Sequence, residues 1–231
     1  MAPSAADWAA HYATPAGYRT WPCEELVRFC GSRGFRLGDR VLEVGCGNGA
    51  NLWFLANYVD VVGIDMLQPV LREAASYCAY RGCGIGTADS WPGHRVWNMD
   101  VSLTAADAGR LPFAAGAFDG VVDCMVSQHM PWMAHERVYA GYRRVLKPGG
   151  WLWLYHLDNL TVTHRGLQSD VYDWGALALF PSVRLFCLPP SWALRGACED
   201  AGFVRRSVRG LAVEYENGSV AHYTSIAAEA A

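Results

Sequence analysis

The feature that most constrains this chain is a short apolar run that ends in three glycines at alternate positions. The run VLEV (41–44) predicts a buried strand, because a strand covered on both faces of a parallel sheet is apolar almost throughout. The segment GCGNGA (45–50) then supplies a tight turn, since glycine adopts backbone conformations that other residues avoid. Apolar residues at helical spacing follow at 52–56. A strand, a glycine turn and a helix in this order predict the opening unit of a parallel α/β sheet.

Segments of strand and helix alternate along the rest of the chain. Further strands are predicted in VVGID (61–65), VSLTAADAGRLPF (101–113), FDGVVDCMVSQHM (118–130) and WLWLYH (151–156), and helices in 21–34, 67–82, 135–146 and 191–203, the last capped by Ser191. The chain ends with two stretches joined by Asn217-Gly218, a dipeptide typical of a two-residue hairpin turn. These elements predict a doubly wound α/β sheet, mostly parallel, with an antiparallel C-terminal hairpin strand.

The length of 231 residues favours one elaborated domain, since a typical domain has about 150 residues. We therefore expect a single domain over residues 1–231. Its predicted parts are a cap or lid at 1–34 whose first 20 residues look loop-like, a ligand-binding core at 35–157, a variable insertion on the substrate side at 158–190, and a C-terminal helix and hairpin at 191–231. A stretch rich in Gly and Trp at 82–98 is expected to be an insertion or long loop within the core.

The composition argues against several classes of protein. The chain carries 19 basic and 22 acidic residues, a net charge of −3, whereas an electrostatic nucleic-acid binder normally has a basic surplus. With 52% hydrophobic residues it is too apolar for a disordered chain. No apolar stretch could span a membrane and no signal peptide is evident, so we expect a cytoplasmic protein whose eight cysteines are reduced. The cysteine and histidine spacings match no zinc motif, and no metal site is expected.

Two carboxylates near the glycine turn indicate which ligand it suits. Glu43 stands two residues before Gly45, where its charge would repel a pyrophosphate and attract a cationic group. Asp65 ends the second strand, 20 residues beyond Gly45, where a carboxylate can accept hydrogen bonds from both hydroxyls of a ribose. The turn contains no basic residue. This pattern favours an adenosine that carries an amino acid and a sulfonium charge, although the glycines alone also allow a nicotinamide dinucleotide.

Taken in order, these motifs resemble those of the class I S-adenosylmethionine-dependent methyltransferases. VLEVGCGNG (41–49) is similar to the glycine turn of that family, VVGIDM (61–66) to its ribose-binding strand, ADAGRLPF (106–113) with FDGVVD (118–123) to its adenine-contacting turn and fourth strand, and YRRVLKPGGWLWL (142–154) to the helix, turn and strand that follow. The similarity covers about residues 39–156, and SQHMP (127–131) resembles the small-molecule and ubiquinone-type subgroup. The resemblance implies a Rossmann-like sheet and S-adenosylmethionine as the cofactor.

The resemblance also implies a contact for each matching residue. The expected cofactor contacts are Gly45, Cys46, Gly47 and Cys124 along the methionine part, Glu43 near its amino group, Asp65 at the ribose, and Met66, Ala106, Asp107 and Ala108 at the adenine. One departure from the family concerns the spacing between the ribose contact and the adenine contacts. Asp107 follows Asp65 by 42 positions, about twice the expected spacing, because the stretch at 82–98 intervenes.

His129 and His156 are the candidate catalytic residues. They follow the fourth and end the fifth predicted strand, at the sheet edge where α/β proteins bind ligands. An imidazole there could act as a base toward a hydroxyl or amine, or could simply shape the pocket.

The many aromatic residues, the weakly acidic charge and the variable region at 158–190 favour a small-molecule acceptor, methylated at oxygen or nitrogen rather than carbon by in-line transfer. A specialised metabolite is favoured, with no nucleic-acid or membrane partner. Two alternatives stay open at this point: a nicotinamide-dependent oxidoreductase, and a non-catalytic S-adenosylmethionine-binding subunit of another enzyme. The sequence leaves the oligomeric state undetermined.

Overall fold

An eight-stranded sheet organises the chain. The computed structural model describes residues 4–14, 17–36, 38–87, 100–158, 177–180, 183–185, 188–214 and 220–231. The strands of the sheet are β1 Arg40–Val44, β2 Asp60–Asp65, β3 Gly84–Thr87, β4 Asp100–Ala105, β5 Phe118–Cys124, β6 Leu146–Leu157, β9 Phe203–Glu214 and β10 Val220–Ala230; β7 Leu177–Phe180 and β8 Val183–Leu185 form a separate pair. The order is β3-β4-β2-β1-β5-β6-β10-β9. The first six strands of this order are parallel, and β10 runs antiparallel to both β6 and β9.

Helices cover both faces of this sheet. They are α1 Ala5–Tyr12, α2 Glu24–Arg33, α3 Ala50–Leu55, α4 Gln68–Tyr80, α5 Trp132–Val145 and α6 Ser191–Asp200, with a short 3-10 helix at Ser127–His129. One buried cluster contains Leu26 of α2, Leu52 of α3 and Val41 of β1, and another contains Val138 of α5 and Leu42 of β1. Successive residues of a strand point to opposite faces, so the two clusters lie on the two sides of the sheet. The doubly wound, mostly parallel fold predicted from the sequence is confirmed.

The strand register brings four carboxyl ends to one edge of the sheet. Val44 of β1 pairs with Ile64 of β2 and with Asp123 of β5, and Asp65 of β2 pairs with Ala105 of β4. In an open α/β sheet this edge is where ligands bind.

A glycine inside β2 lets α3 pack closely on the sheet. A Cβ atom at Gly63 would lie 2.6 Å from Cδ1 of Leu52 and 3.1 Å from Sγ of Cys46. Leu52 is fully buried, so it has no room to move aside. The close approach holds the first turn of α3 against the edge at which β1 and β2 end.

The expectation that the first 20 residues are loop-like is wrong, because they contain α1. This helix begins at a capping box: Asp7 N donates to Ser4 Oγ at 3.3 Å, and Ser4 N donates to the Asp7 carboxylate at 2.7 Å. The box satisfies two backbone groups that a helix otherwise leaves without partners.

Two further local predictions are wrong. The stretch at 82–98 does not consist of loop throughout, since β3 adds an edge strand that pairs with β4. Ser191 is the first residue of α6 and not its cap; Pro190 occupies the cap position, and no side chain caps the helix. The turn predicted at Asn217-Gly218 lies outside the described residues. The division of the chain into a single domain with four parts stays a prediction.

Within the described part of the chain, no helix is long and apolar enough to cross a membrane.

Candidate active site

A cavity of about 410 Å³ opens at the carboxyl edge of the parallel strands. Every predicted cofactor contact and one of the two candidate histidines line it: Glu43, Gly45, Cys46, Gly47, Asp65, Met66, Ala106, Asp107, Ala108, Cys124 and His129. Residues distant in sequence therefore meet at the place where β1, β2, β4 and β5 end. The other walls come from α1, from Arg19 and from the start of α5.

The glycine turn gives the cavity a bare backbone surface. Gly45 and Gly47 have φ angles of +60° and +54°, in the left-handed region that favours glycine. A Cβ atom at Gly47 would lie 2.7 Å from the hydroxyl of Tyr12, and one at Gly45 would collide with the side chain of Val126. Only a backbone without side chains fits here, so this surface can lie close to a ligand.

Glu43 is a buried carboxylate with one unused oxygen. Its side chain is 2% exposed, and Oε1 accepts a hydrogen bond of 2.8 Å from Nδ2 of Asn51. Oε2 has no hydrogen-bond partner within the described residues. Burial raises the pKa of Glu43 well above its usual value, and the bond from Asn51 opposes the rise. A buried acceptor without a partner is costly, and a cationic group from a ligand would satisfy both its hydrogen bond and its charge.

Asp65 links the end of β2 to the glycine turn. Oδ2 accepts a hydrogen bond of 3.2 Å from Gly47 N, and Oδ1 accepts one of 3.0 Å from Leu67 N. Burial raises the pKa of the Asp65 carboxyl, while these backbone donors oppose the rise. A carboxylate has about four acceptor sites, so Asp65 keeps capacity for donors on a ligand in the cavity.

The long spacing between Asp65 and Asp107 does not separate them in space. Ala106 N donates to the carbonyl oxygen of Asp65 at 3.1 Å, and this bond continues the pairing of β2 with β4. Asp107 Oδ1 accepts from Gly109 N at 2.8 Å, which closes a local turn, and Asp107 also lines the cavity. Met66 lines it as well and is 52% exposed although apolar. An exposed thioether beside these groups offers a surface for a flat ring.

Arg19 is a cation of the site that the sequence reasoning missed. Its guanidinium donates to Sγ of Cys124 at 3.7 Å and to Sδ of Met125 at 3.1 Å. Two bonds with Asn48 hold its backbone: Arg19 N donates to Oδ1 at 3.3 Å, and Nδ2 donates to the Arg19 carbonyl at 2.8 Å. Arg19 and Cys124 are 105 positions apart, and no motif of the sequence connects them.

Helix α1 covers the cavity with aromatic rings. Trp8, His11 and Tyr12 line it, and the Trp8 ring meets the His129 ring edge-on with centroids 4.6 Å apart. Burial raises the pKa of Tyr12, and the nearby charge of Asp65 raises it further, so the phenol is neutral.

His156 lies outside the group of described residues that line the cavity. It is fully buried, and its Nδ1 donates to the carbonyl oxygen of Leu157 at 2.6 Å. Burial lowers the pKa of His156 to about 3, which keeps the ring neutral. A base must reach the proton that it takes, and the described residues show no contact of His156 with the cavity; the catalytic role predicted for His156 stays a prediction.

Comparison with known proteins agrees with this geometry. A family model described as a methyltransferase domain matches residues 41–150. The solved structure of an S-adenosylmethionine-dependent methyltransferase from Methanosarcina mazei is similar with a TM-score of 0.66, over 90% of this chain and 98% of that chain, at 20% identity. The match over residues 41–150 and the similar fold support a class I S-adenosylmethionine-dependent methyltransferase.

Curated relatives of this methyltransferase match over part of their length. It is 35% identical to nocamycin O-methyltransferase of Saccharothrix syringae, over 50% of this chain and 36% of that protein. It is 33% identical to 27-O-demethylrifamycin SV methyltransferase of Amycolatopsis mediterranei, over 62% of this chain and 47% of that protein. The chain thus spans between about a third and a half of these relatives. The [4+2]-cyclase SpnF has a similar structure, with a TM-score of 0.63 over 90% of this chain and 81% of that chain at 19% identity, so the fold alone does not determine the reaction.

S-adenosylmethionine, the cofactor of the family, fits the residues of this cavity. Glu43 Oε2, which has no hydrogen-bond partner among the described residues, matches a cationic group of the cofactor, and the glycine turn leaves room for the ligand to lie against its backbone. The match to a methyltransferase domain favours S-adenosylmethionine over the nicotinamide dinucleotide that the glycines alone also allow.

Proposed function

We propose that this methyltransferase transfers the methyl group of S-adenosylmethionine to an oxygen or nitrogen of a small-molecule acceptor, with carbon as the less favoured atom. One observation carries the proposal. Glu43 Oε2 is buried without a partner among the described residues, and it borders the same cavity as Asp65. Two desolvated acids suit a ligand that brings an ammonium, a sulfonium and two ribose hydroxyls, and they oppose a pyrophosphate.

The proposed cofactor contacts follow from the donor and acceptor types at the cavity. Glu43 would hold the ammonium of the methionine part, and the Arg19 guanidinium its carboxylate. Asp65 would accept the ribose hydroxyls. The adenine would lie between Met66 and the turn at 106–108, with the methionine part beside Cys124 and the backbone of the glycine turn.

Bound S-adenosylmethionine supplies a methyl group that the sulfonium charge already activates. The remaining task of the protein is to orient the acceptor atom in line with that methyl group and to exclude water. Correct placement of two reactants can lower a barrier by several kcal/mol, up to about 7–11 kcal/mol in ideal cases. Helix α1 would exclude water, because Trp8 and Tyr12 cover the cavity.

The walls beyond the glycine turn indicate the acceptor. Trp8, His129, Met130 and Pro131 give this part of the cavity an aromatic and apolar surface. Such a surface suits a small apolar or aromatic molecule more than a nucleic acid strand, whose phosphates need several cations. Two relatives, one named nocamycin O-methyltransferase and the other 27-O-demethylrifamycin SV methyltransferase, support a small-molecule acceptor.

Calorimetry tests the cofactor half of the proposal. We expect purified protein to bind S-adenosylhomocysteine and to ignore nicotinamide dinucleotides. Arg19→Ala should lower the affinity for S-adenosylhomocysteine about tenfold or more, because a charge-assisted hydrogen bond contributes about 1.5–3 kcal/mol, and leave the affinity for adenosine unchanged. Arg28→Ala, at an exposed ion pair of α2, is the matched control and should change neither. Failure to bind S-adenosylhomocysteine at millimolar concentration would reject the proposal.

Transfer of a labelled methyl group tests the catalytic half. The labelled cofactor is incubated with a panel of small phenols, alcohols and amines, and labelled products are identified by mass spectrometry. Methylated products support the proposed reaction. Tight cofactor binding with no transfer to any member of a broad panel would favour the non-catalytic subunit instead.

A further inference from the structure

Gln128 connects the sheet to the one candidate histidine that lines the cavity. It lies in the 3-10 helix at Ser127–His129, is fully buried, and is not among the lining residues. Leu157 N donates to Gln128 Oε1 at 2.9 Å. A backbone N–H can only donate, so the atom that faces it must be the amide oxygen of Gln128. The orientation of the amide is thereby determined, and its nitrogen points the other way.

The amide nitrogen of Gln128 meets the imidazole of His129. The distance from Gln128 Nε2 to His129 Nε2 is 3.3 Å. An amide nitrogen has no lone pair to accept with, so His129 Nε2 must be the acceptor. A neutral imidazole carries one hydrogen, and that hydrogen is then on Nδ1.

The buried carboxylate of Asp123 fixes the backbone that carries Gln128 and His129. Asp123 accepts hydrogen bonds from Val126 N at 2.9 Å and from the Tyr142 hydroxyl at 3.0 Å. It also accepts from Ser127 N at 3.3 Å. The turn between Asp123 and Ser127 is tight, because Met125 within it has a φ of +67°. The position of Gln128 is therefore set by the sheet and by α5, independently of any ligand.

We infer that Gln128 is a positioning residue that holds neutral His129 with Nε2 as an acceptor and the hydrogen on Nδ1. The lone pair of Nε2 is then engaged by Gln128 and does not take a proton from the acceptor. His129 serves the reaction as an oriented wall and N–H donor, and the role of general base predicted from the sequence is replaced. The consequence for the reaction rests on the proposed function, whereas the tautomer itself does not.

Nitrogen-15 NMR of histidine-labelled protein tests the inference directly. A long-range proton–nitrogen spectrum distinguishes protonated from bare ring nitrogens at a pH where the rings are neutral, and the His129→Asn variant assigns the His129 signals. We expect a protonated Nδ1 and a bare Nε2, the reverse of the tautomer that a solvent-exposed histidine favours. His135 and His156 are internal references, since their Nδ1 atoms face carbonyl oxygens at 3.2 Å and 2.6 Å and must be protonated.

Gln128→Met removes the donor while keeping a side chain of similar length. In the spectrum of this variant, a signal from a protonated Nε2 of His129 should appear, because Nε2 no longer accepts a hydrogen bond from Gln128. Gln68→Met, at the exposed start of α4, should leave the His129 pattern as in the wild type. A protonated Nε2 in the wild type, or an unchanged pattern in a folded Gln128→Met variant, would overturn the inference.

The wild-type spectrum still decides the question if the Met variant does not fold. Calorimetry separates this result from the proposed function. Because Gln128 does not line the cavity, the folded Gln128→Met variant should bind S-adenosylhomocysteine within about twofold of the wild type. Absence of binding in the wild type would reject the function and leave the tautomer result standing.

Discussion

The two sides of the cavity are built differently. One side consists of the glycine turn, Glu43 and Asp65, which all lie within residues 43–66, and the bond from Gly47 N to Asp65 joins two of them. The other side is assembled from distant segments, as when Arg19 reaches Cys124 and Trp8 reaches His129. On the first side, the proposed cofactor contacts are backbone groups and carboxylates held by the sheet. The second depends on side chains of α1 and on Arg19, whose backbone is held by Asn48.

This difference predicts unequal effects of substitution. Changes on the first side remove groups for which the fold offers no replacement, so they should reduce cofactor affinity strongly. On the second side, changes to the aromatic residues of α1 should alter how tightly the cavity closes while leaving most of the affinity in place, whereas Arg19 is proposed to contact the cofactor directly.

Asp65→Ala should have the largest effect. It removes the acceptor proposed for both ribose hydroxyls and also the acceptor of Gly47 N and Leu67 N. Two charge-assisted hydrogen bonds of about 1.5–3 kcal/mol each correspond to a loss of about a hundredfold or more in affinity for S-adenosylhomocysteine, measured by calorimetry. Asp60→Ala, at the opposite end of β2, is the control and should bind nearly as the wild type. Equal losses in both variants would contradict the ribose assignment.

Gly47→Ala should lower both stability and affinity. A methyl group there meets the Tyr12 hydroxyl at 2.7 Å, and alanine disfavours a φ of +54°. The free energy of unfolding in urea should fall by about 1–3 kcal/mol. Gly31→Ala in α2 has open space around the new methyl group and should raise stability by about 0.5–1 kcal/mol. Partial recovery in Gly47→Ala combined with Tyr12→Phe would assign part of the loss to the hydroxyl.

Glu43→Gln should affect the free and the ligand-bound protein in opposite directions. Folding raises the pKa of Glu43. The contribution of Glu43 to the free energy of unfolding is therefore fully present below its usual pKa of 4.5 and is lost as pH rises through its pKa in the folded protein. The melting temperature of the ligand-free Gln variant should therefore increase relative to that of the wild type as pH rises. Its affinity for S-adenosylhomocysteine should fall about tenfold, since the ammonium loses its charged partner.

Exposed Glu73 on α4 supplies the matched control for this pH series. Glu73→Gln should follow the wild type in both melting temperature and affinity across the same range. If the melting curves of Glu43→Gln ran parallel to those of the wild type at every pH, the carboxylate would not be desolvated as the structure has it.

Trp8→Ala should have the smallest effect and sharpen the contrast between the two sides. The edge-on contact with His129 is of a kind that contributes about 0.5–1.5 kcal/mol, which corresponds to about two- to tenfold. We expect the dissociation rate of S-adenosylhomocysteine in stopped-flow experiments to rise by this factor, because α1 then packs less firmly over the cavity. Trp192→Ala, at a ring 63% exposed on α6, should leave the rate unchanged. A hundredfold loss on replacing Trp8 would remove the distinction between the two sides.

The sequence predicted the sheet and its glycine turn because these depend on local patterns. Apolar runs, glycine spacing and helical periodicity each report on residues that are neighbours along the chain. For the same reason Glu43 and Asp65 could be located from their places at strand ends. The short strand β3 was missed because its four residues, Gly84–Thr87, carry too few apolar side chains to form a pattern.

The missed parts of the candidate site arise from long-range contacts or from an overlooked local signal. α1 could have been found, since Ser4 followed by Asp7 is the pattern of a capping box. Arg19 could not, because only the folded chain brings it to Cys124. The same holds for Gln128, whose orientation is set by Leu157 at the end of β6. The roles of the lining residues stay predictions until ligand binding is measured.

If the desolvated acids under the glycine turn bind the methyl donor as proposed, the supply of that donor would influence the abundance of the protein. Burial of Glu43 and Asp65 weakens the empty fold near neutral pH, as their raised pKa values indicate. A ligand that binds only the folded form at a hundred times its Kd adds about 2.7 kcal/mol. Cells short of the donor would then keep fewer intact copies of this chain, because proteases act on the fraction that unfolds.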